Sequence, residues 1–135
     1  VAGSMKVTAK QGGKIVNNHG QTDGKSWGMP AEWVNYTGPV KGQPAGIAMF
    51  SHPDSFRHPC AWHVRTYGLF AANPFGEKDF PENGVDQGEV KLPKGESLKL
   101  RYLVYLNNGN MRTDQLDQVA VEYAGAERKA SEGEE

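Results

Sequence analysis

Apolar residues recur at every second position over short stretches of this chain, and glycine, proline or asparagine closes each stretch. Side chains of an extended strand point alternately to its two faces, so a period of two predicts strands with one face buried. The clearest case is 97–106, where Leu98, Leu100, Tyr102, Val104 and Leu106 alternate with Lys99 and Arg101 before Asn107, Asn108, Gly109 and Asn110 end the run. Further strands are expected at 5–10, 13–17 and 32–36. The run 45–50 is apolar at both alternating sets of positions, which predicts a central strand covered on two sides. Over 62–69 the alternation places Trp62 and Val64 on one face and His63 and Arg65 on the other.

Between these runs lies turn chemistry. Residues 17–24 hold Asn17, Asn18, Gly20, Asp23 and Gly24, types that tolerate positive φ. Residues 71–95 carry three prolines and glycines at 76, 84, 88 and 95, so they are expected to be loop with one short strand at 89–92. The period changes near the C-terminus, where Leu116, Val119, Ala120 and Tyr123 follow helical spacing behind Thr113 and Asp114, a cap residue and an acid suited to a helix N-terminus. After Tyr123 the residues 124–135 are charged and almost free of apolar side chains, so a frayed tail is expected. Helical patterns do not alternate with strands, which disfavours a doubly wound α/β fold. The expected fold is all-β, an antiparallel β-sandwich or jelly-roll-like half-sandwich with one short C-terminal helix, in a single domain over 1–123.

Composition narrows the partners. The 135 residues suit one domain. Fifteen basic against sixteen acidic residues give a net charge of −1, which offers no general attraction for nucleic acid. No apolar run approaches the ~18–20 residues needed to cross a bilayer, so no membrane partner is expected. Cys60, the single cysteine, excludes an internal disulfide and any site built from several cysteines, and beside Pro59 and Trp62 it reads as a buried thiol.

Three of the four histidines, His52, His58 and His63, fall within twelve positions of one polar and aromatic segment. Imidazole titrates near neutrality, so grouped histidines suit proton transfer or metal binding; equally, His52 and His58, each before a proline, can simply hydrogen-bond a loop into shape. His63 and Arg65 form the best candidate pair, an imidazole to move a proton and a guanidinium to hold a carboxylate or hydroxyls on the same strand face. His52, Asp54, Arg57, His58, Trp33 and Asn73 are candidate substrate-binding residues around them. His52, Asp54, His58 and His63 are also metal-ligand types, but no short spacing fixes two on one element, and neither a metal nor another cofactor is expected. Trp27, Trp33 and Trp62 are stacking platforms for sugar rings or, equally, core residues.

The motifs Trp33-Val34-Asn35-Tyr36-Thr37-Gly38-Pro39, Gly46-Ile47-Ala48, His52-Pro53, Arg57-His58-Pro59, Trp62-His63-Val64-Arg65-Thr66-Tyr67-Gly68-Leu69 and Asn73-Pro74-Phe75-Gly76 occur in this order. This ordered set resembles the bacterial family named methane oxygenase PmoA, a group of unknown function. The resemblance implies that the chain is the C-terminal half of a longer β-rich domain. It does not imply methane oxidation, which needs a membrane-spanning complex and a copper ligand set that this sequence does not offer. Members occur near sugar oxidoreductases and glycoside-processing proteins, which implies a small-molecule carbohydrate as partner. His19 and Ser55 depart from the family pattern. If the chain is part of a larger sheet, 45–50 and 97–106 expose apolar faces for a preceding segment or a second copy to cover.

Two functions follow as expectations. One is a carbohydrate-active enzyme, a lyase, hydrolase or isomerase, using His63 and Arg65 on a sugar or sugar-acid derivative. The other is a non-catalytic glycan-binding or accessory domain. Convergence of His52, His58, His63 and Arg65 in one pocket favours the first, and an open aromatic strip favours the second. The compartment stays open between periplasmic or secreted and cytoplasmic.

Overall fold

The computed structural model describes residues 1–80 and 88–133. Two antiparallel sheets and one C-terminal helix make up an all-β, sandwich-like fold. The strands are β1 (Lys14–Asn17), β2 (Trp33–Val40), β3 (Gln43–Ser51), β4 (Trp62–Val64), β5 (Phe70–Ala72) and β6 (Tyr102–Asn107), followed by α1 (Thr113–Gly133). The larger sheet has the order β1-β2-β3-β6, and β4 pairs with β5 in the smaller one.

Turn chemistry sets the register. β2 and β3 join through Lys41 and Gly42, with φ of 51° and 75°, the pair of positive values that a tight two-residue hairpin needs to match strand twist. β4 and β5 form a second hairpin, in which Arg65 N–H donates to the Leu69 carbonyl at 2.8 Å. The expected strand over 62–69 is therefore three residues and a turn, with Gly68 at φ 105°. The alternation across 62–65 holds, with Trp62 and Val64 buried and His63 and Arg65 half-buried.

Each face of the larger sheet has its own core. Ile15, Val34 and Tyr36 pack with Trp62 and Val64 of the small sheet, beside Ala31 and Cys60. On the opposite face Trp33, Ala48 and Phe50 receive Leu116 of α1. As expected, β3 is central, lying between β2 and β6, but only its Ala48 and Phe50 face is fully buried; Ile47 and Met49 are half-buried.

Further expectations about elements change. Residues 5–10 form 3-10 turns, Gly3–Met5 and Val7–Ala9, because the chain wraps to press Met5 into the core against Gly38 instead of pairing with a strand. Within 97–106 the strand begins only at Tyr102, since the backbone before it is bonded to the 52–56 loop, with Lys99 O accepting from Phe56 N and Arg101 O from His52 N. No strand forms at 89–92, and residues 81–87 of the expected loop lie outside the described residues. The helix runs on to Gly133, well past Tyr123, through alanine, glutamate, arginine and lysine, which are strong helix formers. Thr113, expected as the cap, is the first helical residue, and the backbone N–H of Arg112 before it donates to Gln115 Oε1 at 2.9 Å, the reach-back half of a capping box.

The two edges of the larger sheet differ. The β1 edge is covered by the turn that follows it: Val16 bridges to Thr22, Ile15 N–H donates to Asp23 Oδ1 at 2.9 Å, and Asn17 N–H to the Gln21 carbonyl at 3.1 Å. At the other edge, β6 pairs with β3 on one side, and among the described residues no strand pairs with its other side. Opposite Asn107 of β6 stands Gly46 of β3, where a Cβ would collide with the Asn107 carboxamide. That carboxamide donates to Asn35 Oδ1 at 3.3 Å and accepts from Gly109 N–H at 2.9 Å.

Candidate functional site

The residues that cluster in sequence separate in space into three groups. The first lies where β3 ends against α1. His52 is fully buried, its Nδ1 accepting the Asp54 N–H at 3.0 Å, and its ring stands edge-on to Tyr123 with centroids 5.0 Å apart. Among the described residues His52 Nε2, which is buried, finds no hydrogen-bond partner. His58 Nδ1 lies 2.8 Å from Ser51 Oγ, and burial holds its imidazole below the ordinary histidine value. A cavity of about 290 Å³ beside it is lined by Glu32, Ser51, His58 and Asp117 with small apolar residues of α1. Both histidines shape the loop that they bracket, while the Asp54 carboxylate is largely exposed, 3.8 Å from His52 Nδ1.

The second group braces two loops. Arg57, at φ 55°, donates to the Pro74 carbonyl at 3.2 Å and to the Gly88 carbonyl at 3.0 Å, and pairs with Glu77 Oε2 at 3.5 Å. Its side chain is 9% exposed and that of Glu77 1%. Asn73 Oδ1 accepts from Phe75 N–H at 3.2 Å, closing the turn, and Gly76 leaves room for its amide. Arg57 and Asn73, both candidate substrate-binding residues, turn polar groups onto neighbouring backbone and, for Arg57, a buried carboxylate.

The third group lies on the outer face of β4. The Arg65 guanidinium stands over the rings of Trp27 and Tyr67, 5.2 Å and 5.3 Å from their centroids. Among the described residues its N–H groups make no hydrogen bond or ion pair. His63 sits edge-on to Trp27 and Phe80, at 6.3 Å and 6.0 Å. Trp27 Nε1 is buried and has no partner among the described residues, Tyr67 is 51% exposed, and a groove of about 290 Å³ runs past Gly24, Trp27, Val64, Arg65 and Thr66.

Trp33, expected as a sugar platform, is fully buried and donates its indole N–H to Asp117 Oδ1 at 2.8 Å; it is a core residue that ties β2 to α1, with no ring face open to a ligand. Trp62 is likewise buried, bonded to the Ala31 carbonyl. Cys60 is a buried thiol, pushed up to about 11 by desolvation. Among the described residues no three His, Cys, Asp or Glu side chains stand close enough to hold one metal ion, and no helix is long and apolar enough to cross a membrane. Sequence reasoning missed Tyr67, Phe80 and Glu77. Tyr67 had a signal, since it follows Arg65 in a glycine turn; the partners from distant loops had none.

Comparison with known families matches residues 1–121 to one described as a family of unknown function (DUF6807). No curated protein and no solved structure matches the chain.

Proposed function

We propose that this chain, which belongs to the DUF6807 family of unknown function, binds a carbohydrate derivative bearing a carboxylate on the outer face of β4. The observation that carries this reading is Arg65, a guanidinium held over two aromatic rings with its N–H donors uncommitted among the described residues. Contact with the two rings positions the guanidinium and leaves N–H donors for a two-pronged bond to a carboxylate. Exposed Tyr67 and the rim of Trp27 offer apolar faces to the C–H side of a sugar ring. The likeness of the motifs to a family encoded near sugar-processing proteins supports carbohydrate as the ligand class. His52 and His58 lie in the other cluster, against α1, so the four-residue convergence expected of an enzyme is not the arrangement that favours this reading.

Calorimetric titration with uronic-acid oligosaccharides and with their neutral counterparts tests it. The acidic ligand should bind more tightly, with affinity falling as salt rises. Arg65→Lys should weaken binding about tenfold, Tyr67→Ala by ~1 kcal/mol, a cation–π and stacking loss, and His63→Ala should leave it near that of the parent. Equal binding of acidic and neutral ligands, unaffected by Arg65→Lys, defeats the reading. Turnover of any of these sugars, lost in His63→Ala, would instead favour the enzyme.

A further inference from the structure

The bare edge of β6 has a consequence separate from the β4 face. Edge strands present unpaired backbone donors and acceptors, and proteins blunt them with charge, proline, bulges or a covering segment. This chain covers its β1 edge in that last way, with the 18–23 turn. Among the described residues nothing comparable covers β6, and Tyr102-Leu103-Val104-Tyr105-Leu106-Asn107 contains no charge and no proline. The apolar set that the sequence pattern marks for burial is left out, with Val104 56% and Leu106 74% exposed and Leu100 in the same set also exposed. The small sheet that covers Tyr102 on this face stops short of them.

We infer that β6 pairs antiparallel with β6 of a second copy of this chain, joining two four-stranded sheets into one of eight. The strand is its own complement. About a two-fold axis through Val104, that residue meets its own copy, Tyr102 faces Leu106, and Leu103 faces Tyr105. Arg101 faces Asn107, so no like charges are opposed. Aromatic and aliphatic pairs of this kind are the favourable unit of sheet association. Among the described residues the larger sheet of each copy has one bare edge, because the β1 edge is covered, so the contact closes at two chains and does not propagate into a fibre.

Sedimentation velocity over a concentration series tests this with the whole chain. The expected result is a monomer–dimer equilibrium that shifts to monomer in Leu106→Lys and in Val104→Lys, with far-UV circular dichroism and melting temperature retained. Leu106 is the safer variant, since its side chain lies mostly in solvent. Val104→Cys should form a covalent dimer with a short bis-maleimide, whereas Lys41→Cys, in the β2–β3 turn, should not; Cys60 is buried and stays out of the reaction. A chain that remains monomeric at every concentration overturns the inference, as does a dimer that survives both lysine variants. Open-ended aggregation overturns the closed two-fold pairing, and capture of β6 by a peptide of different sequence in preference to a second copy overturns the choice of partner.

Discussion

Replacing Glu77 by alanine removes a buried carboxylate beside a guanidinium that is itself nearly out of solvent. The pair is 1% and 9% exposed, and Arg57 would keep its bonds to the Pro74 and Gly88 carbonyls. Breaking a buried ion pair from one side costs ~3–5 kcal/mol, and the retained carbonyls set the expectation at the lower end, about 3 kcal/mol. For a domain of this size that corresponds to a fall in melting temperature of about 10 °C. Urea unfolding followed by tryptophan fluorescence, with calorimetry as a second probe, measures it. The double variant Arg57→Met with Glu77→Leu should recover part of the loss, because removing one member of a buried pair costs more than replacing both by apolar side chains. Uronate binding by the folded Glu77→Ala protein should match that of the parent, since Arg57 is a brace. A loss below about 1 kcal/mol would place the pair among solvated ion pairs and refute the reasoning.

Two further outcomes follow from buried titratable groups. Burial depresses the His58 imidazole, Glu32 pulls it up and His52 pushes it down, so the unfolded chain takes up its proton at higher pH than the folded one. The stability linked to it is complete above about pH 6.5 and drains as pH falls through the lower folded value. Melts from about pH 7.5 to about pH 5 should therefore decline, less steeply in His58→Gln; a parallel decline in the variant would assign the effect elsewhere. The Cys60 thiol, held up at about 11, should resist a thiol-specific reagent at about pH 8 in the folded protein and react on unfolding. Rapid labelling of the native chain would contradict its burial.

What could be read from the sequence was local. Strand alternation identified the buried pair Trp62 and Val64 and the shared face of His63 and Arg65, because a period of two survives in any half-covered strand. At 97–106 the same period was real but misleading. Val104 and Leu106 lie on a sheet face that nothing in the described chain covers, and the backbone at 99–101 is taken up by the 52–56 loop. Met5 was correctly apolar, yet its burial comes through a wrapped 3-10 segment that periodicity cannot distinguish from a strand end. The site is less legible because nearness in sequence is not nearness in space. His52 and His58 bracket a loop beside α1, while His63 rides a strand whose outer face meets Trp27 and Phe80 from other segments. The Arg57 and Glu77 partnership spans two loops, and no spacing rule announces it.

Gly46 and Asn107 bear on how this sequence can change over time. The asparagine carboxamide fills the space that a side chain at 46 would need, and it links Asn35 to the turn at Gly109. A side chain at 46 requires the Asn107 carboxamide to swing aside or to be shortened, and either change gives up both of those links. Changes at the two positions are thereby coupled: what is tolerated at 46 depends on the residue and rotamer at 107.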